Sequence, residues 1–88
     1  MVNPEEIRRV GNLFRGRLPD CILDLALSYI DAGEVPLAVD TLWEILMDHN
    51  VAITKSEYDK LLYLAKEFGG TFFVPTSNQL AYMEKLVK

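Results

Sequence analysis

Helix-starting and helix-stopping residues recur so often in this 88-residue chain that they cut it into five short pieces. That punctuation constrains the fold more than any other feature. The clearest start signal is Thr54-Lys55-Ser56-Glu57. It is a capping box, in which the Thr hydroxyl and the Glu carboxylate each satisfy a backbone N–H left free at the helix end. It predicts a helix over 55–68 that stops at Gly69-Gly70. Upstream, Asn3 can cap a helix from Pro4 to about Arg15, with Glu6 three residues after the cap and Ile7, Val10 and Phe14 on one face. Gly16 and Pro19 bracket its end. A second helix is predicted from about Asp20 to Ala32, closed by Gly33 in the left-handed conformation. Glu34-Val35-Pro36 opens a third, which runs to about His49 and is closed by Asn50. Thr71 to Pro75 reads as a short extended or loop segment packed on the core. Thr76 or Ser77 can cap a last helix to Val87. No segment alternates long enough to demand a sheet. The expected fold is all-α: one domain over 1–88, a small bundle of four to five helices with short connections. The second to fourth helices are similar in length, but no self-similarity near a period of 34 marks a helical repeat.

Charge along these helices is uneven. Between Arg17 and Lys55 there is no Lys or Arg, while residues 18–54 hold Asp20, Asp24, Asp31, Glu34, Asp40, Glu44 and Asp48. The overall net charge of −4 conceals this bias. Like charges one helical turn apart cost roughly 0.2–0.5 kcal/mol per pair. A segment that keeps them without a cation suggests a use for negative potential. At about 100° per residue, Asp40, Glu44 and Asp48 fall within an arc of about 80°, opposite Val35, Val39, Leu42 and Leu46. Asp20, Asp24 and Asp31 share a stripe of about 40° on the second helix. Its remaining surface is mostly apolar, so that helix is expected to be largely buried and to expose chiefly its acids. If the two helices pack antiparallel, the stripes join into one acidic face. Trp43 and Met47 lie at its border, which leaves Trp43 either in the core or as an interface anchor. A solvated face that aids solubility is the plain alternative, although such faces usually mix signs.

Catalytic groups are scarce. Cys21 and His49 are single and 28 positions apart, too few for a metal site, and no loop has the calcium-binding pattern. No Gly-rich phosphate loop follows a strand. Cys21 is expected to be buried and structural, and His49 structural or interfacial. The lone cysteine excludes an internal disulfide and suits a reducing compartment. The first residues, Met1 to Glu6, do not read as a secretory signal, and no apolar run approaches a membrane span. A cytoplasmic protein with neither cofactor nor metal is expected. Arg8, Arg9, Arg15 and Arg17 cluster at the first helix, but the acidic chain argues against direct nucleic-acid or membrane-surface binding. These arginines are expected to pair with the acidic face, in the fold or in a dimer.

The stretch Leu25-Ala26-Leu27-Ser28-Tyr29-Ile30-Asp31-Ala32-Gly33-Glu34, then Ala38 to Glu44, Asn50 to Thr54 and Glu57 to Leu61, resembles small helical immunity proteins. These are of the MafI type, which also accompany some contact-dependent inhibition toxins (the CdiI class). The resemblance covers about residues 20–70. It rests on the Asp-x-Gly-Glu turn, the Ala-x-x-x-Leu helix after it and a β-branched link into a capped Glu-Tyr helix. It implies a non-catalytic inhibitor that binds the cognate C-terminal toxin domain of a secreted bacterial effector. That domain is expected to be a basic nuclease, an EndoU-type RNase being favoured. The resemblance does not fix the contact residues. Charge and spacing alone nominate Asp24, Asp31, Asp40, Glu44 and Asp48, with Trp43. The second reading is a self-associating or adaptor domain. The third helix carries an apolar arc of about 200° if Ile45 and Met47 are counted, wide enough for a homodimer seam.

Overall fold

The computed structural model describes residues 3–88. Residues 1 and 2, part of the stretch read above as carrying no secretory signal, lie outside them. The chain forms five helices: α1 Glu5–Asn12, α2 Asp20–Asp31, α3 Val35–Asp48, α4 Lys55–Phe68 and α5 Ser77–Leu86. It is an all-α bundle, with no sheet among the described residues. No described helix is long and apolar enough to cross a membrane.

The local signals act much as their chemistry dictates. Asn3 Oδ1 accepts the Glu5 N–H at the start of α1. Both capping boxes close: Thr54 with Glu57, and Thr76 with Gln79. Gly33, at φ +77°, lets the chain reverse after α2. The Glu34 N–H then reaches the Tyr29 carbonyl, and the Gly33 N–H reaches that of Ile30. This pairing satisfies two carbonyls that the helix end would leave bare. Asn50, at φ +48°, repeats the device after α3, with the Val51 N–H on Leu46 and its own N–H on Met47.

Helix α1 ends three residues earlier than expected. From Leu13 to Arg15 the N–H groups bond three residues back, to Val10, Gly11 and Asn12. This tighter winding carries Phe14 into the core.

Helix α3 is the centre of the molecule and packs against all four other helices. Ala38, Val39, Leu42, Trp43 and Leu46 are fully enclosed around it. Ile7, Leu23, Leu61, Leu64 and Met83 close the core from the surrounding helices. Each such side chain contributes on the order of 1.5–3 kcal/mol by leaving water. Between α4 and α5, Gly69 takes the only residue that fits. A Cβ there would lie 2.3 Å from the Phe73 carbonyl oxygen and 2.5 Å from that of Ala65. The Phe73 N–H bonds the Gly69 carbonyl, and its ring meets Trp43 edge-on at 5.5 Å. The far end of α5 is tied back by Ile53, whose N–H reaches Leu86 and whose carbonyl receives the Lys88 N–H.

Candidate interaction face

The two acid stripes differ sharply in electrostatics. On α2, Asp24 lies 2.6 Å from an Arg15 Nη and Asp20 lies 3.3 Å from the other. Asp31 is 3.0 Å from Arg8, which also holds Glu5. The arginines of the first helical segment therefore neutralise the α2 stripe within the fold, in exposed pairs that add little stability. On α3, Asp40, Glu44 and Asp48 have no Lys, Arg or His nitrogen within 4.0 Å among the described residues. Of the acidic face expected from the two stripes, the α2 part is therefore paired with arginine. Asp24 and Asp31 pair with Arg15 and Arg8, and of the two stripes only that of α3 has no cation beside it among the described residues.

Glu44 and Asp48 are exposed, while Asp40 is half-buried on the flank of α3. Burial pushes the Asp40 carboxyl above the ordinary 3.8, because a charged group loses hydration there without gaining a counter-charge. Helical spacing puts neighbouring acids of this row roughly 5–6 Å apart at Cβ. The row can attract a cationic surface. Among the described residues, no three His, Cys, Asp or Glu side chains are grouped to hold a metal ion.

Trp43 is not an anchor for a partner. Its relative exposure is 0%, and its indole N–H donates to the Leu61 carbonyl at 3.2 Å. The helical wheel placed it at the border of the acidic face, but α4 and Phe73 cover that border. The apolar arc of α3 is likewise used inside the molecule. Ile45 and Met47 pack against the core and are partly buried, so the chain's own helices take up most of that arc. Cys21 is exposed, against the expectation of a buried thiol, because it lies on the outer side of the first turn of α2.

Burial does not account for the missing cations. Within 18–54 the exposed positions include Cys21, Leu25, Ser28, Ala32 and Ala52, any of which has room for a long cationic side chain.

Some connections escape a sequence reading. Arg17 grips Glu57 with both ends of its guanidinium, at 2.9 and 2.6 Å. It also donates to the carbonyls of Ala52 and Leu13 and lies over the Phe14 ring. Forty positions separate Arg17 from Glu57, and neither stands out beyond its local role. Phe72 and Val74 were also missed. They are exposed on either side of the buried Phe73, on a turn that the Phe73 N–H closes onto Gly69, and the run of apolar residues gave no signal of which one turns inward.

A shallow groove of about 590 Å³ runs between α1 and α4, floored by Val10, Leu13 and Tyr63 with Arg9 and Lys60 beside it. A smaller one, of about 370 Å³, lies between the end of α4 and the start of α5. Neither is lined by His49 or Cys21. Comparison with family models, with characterised proteins and with solved structures finds no match.

Proposed function

We propose that this chain is a non-catalytic immunity protein that neutralises a cognate bacterial toxin domain in the cytoplasm. The partner is a basic nuclease, with an EndoU-type RNase favoured. The acidic row of α3 covers its active site or substrate-binding surface and competes with RNA phosphate for the same cleft. The observation that carries this reading is the run Asp40, Glu44, Asp48, left without a cation among the described residues while the α2 acids are paired. Three unscreened carboxylates on one rigid helix speed association with a cationic surface and orient it. The resemblance over residues 20–70 supports the same role.

The test is coexpression with the C-terminal toxin domain encoded by the neighbouring gene. Protection of the cell and a complex that survives purification are expected. Asp40→Lys with Glu44→Lys should weaken binding more than about tenfold at low salt, in keeping with the loss of close charge pairs. Asp24→Lys with Asp31→Lys should weaken it much less, because those carboxylates already have partners. Absence of protection and of a complex would sink the proposal. Equal effects of the two charge reversals would move the interface away from α3.

A further inference from the structure

With Trp43 buried, the acidic row has no aromatic anchor on its own helix, yet the two most exposed large apolar side chains flank the residue that packs on Trp43. Phe72 and Val74 are 61% and 68% exposed, and Phe73 between them is 5% exposed. A single exposed apolar residue needs no explanation. Here two project from one short segment whose middle residue is locked inward. That lock is rigid, because the Phe73 N–H bonds Gly69 and its ring meets Trp43.

Trp43 also fixes where this segment lies relative to the acids. Asp40 precedes Trp43 by three residues and is about 60° from it around the α3 axis, on the same flank. Trp43 donates to Leu61, midway along α4, and α4 returns from α3 through a six-residue connection. The end of α4 and the segment after it therefore run back beside the first half of α3, where Asp40 stands. The partial burial of Asp40 fits a neighbour on that flank. The one charged residue lining the adjoining groove with Val74, Pro75 and Leu80 is Lys66.

We propose that Phe72 and Val74 are the apolar anchor of the same interface. The partner's basic surface meets the α3 carboxylates, and an apolar side chain beside it seats on Phe72, Val74 and the groove towards Leu80. The occupant is a basic protein domain, chosen by charge complementarity with Asp40, Glu44 and Asp48. This inference rests on the acidic-row reading and adds what charge alone lacks. Charge sets the rate of encounter, and desolvated apolar contact sets the lifetime of the complex.

The experiment measures association and dissociation rates of the neighbouring gene's toxin domain at two salt concentrations. The variants compared are wild type, Phe72→Ser with Val74→Ser, and Asp40→Lys with Glu44→Lys. Both substituted side chains of the loop variant are exposed, so its melting temperature should match wild type and a binding loss cannot come from unfolding. Dissociation more than about tenfold faster, with an unchanged salt slope, is expected for the loop variant. Slower association and a reduced salt slope are expected for the charge variant. A loop variant within twofold of wild type, beside a weakened charge variant, overturns the anchor and leaves the acidic row standing. Loss in the loop variant alone overturns the basic identity of the partner, and with it both readings.

Discussion

At Asp40, folding works against the charge. Burial raises this carboxyl above its ordinary 3.8, with no cation among the described residues to offset the lost hydration. A carboxyl raised in the folded state binds its proton more tightly there than in the unfolded chain. Its penalty is absent below about 3.8 and complete once pH exceeds the folded value. Asp40→Asn should therefore raise the melting temperature at pH 7, and the advantage should shrink as pH falls towards 3.8. Thermal melts of both proteins from pH 3 to 7 check this. A variant less stable than wild type at neutral pH would show that the carboxylate has a stabilising partner. A side chain that costs stability in isolation is the pattern expected of one retained for binding. The sequence supplied Asp40, Glu44 and Asp48 as a row, because spacing alone fixes their common face. It could not show that Asp24 and Asp31 are already paired, because Arg8 and Arg15 reach them only once α1 lies against α2.

Among the elements, α4 best separates local from tertiary control. Its start follows from Thr54 and Glu57 within one turn of sequence. Yet Glu57 has a second role, since Arg17 brings the α1–α2 connection onto the same carboxylate. Hydrogen bonds from Arg17 hold the Glu57 carboxyl below the usual 4.5, and its side chain is only 12% exposed. Glu57→Gln keeps a residue able to complete the capping box but removes the charge, so it isolates the ion pair. The variant should lose about 1–3 kcal/mol at pH 7 in denaturant unfolding. A carboxyl lowered in the folded state stabilises above its unfolded value of 4.5, and that contribution disappears as pH falls through the lower folded value. The gap between variant and wild type should close over that acid range. A gap that persists at pH 2 would assign the loss to packing. The boundaries of α2 to α5 were legible to within one residue from Gly33, Asn50, the Thr54 capping box and the cap offered by Thr76 or Ser77. The end of α1 was not, because Phe14 is turned inward by the core and no stop residue precedes it.

For the whole molecule, the position of α3 decides how every other surface is read. An apolar arc of about 200° on an isolated amphipathic helix suggests a seam for a second copy. On a helix with four neighbours most of it is core, with Val35, Ile45 and Met47 partly buried at its edges. Trp43 moves from border to interior for the same reason, and as the single tryptophan it becomes a reporter of global folding. Its emission should be blue-shifted and resistant to acrylamide. It should lose both properties together with helical circular dichroism in one transition, as small domains usually unfold. Quenching in the folded state comparable to free tryptophan would contradict its enclosure by Leu61 and Phe73.

The sequence by itself determined the all-α class, a bundle of four to five helices and nearly all their ends. These depend on caps, left-handed residues and apolar spacing, all interactions within a few residues. It also determined that α3 carries an acidic row, since a helix fixes which of its side chains share a face. Only the tertiary structure decided which acids remain unneutralised, that Trp43 is enclosed and that Phe72 and Val74 are left outside. Each of those depends on what lies opposite, and the partners are distant in sequence: Arg15 from Asp24, Trp43 from Phe73, Arg17 from Glu57.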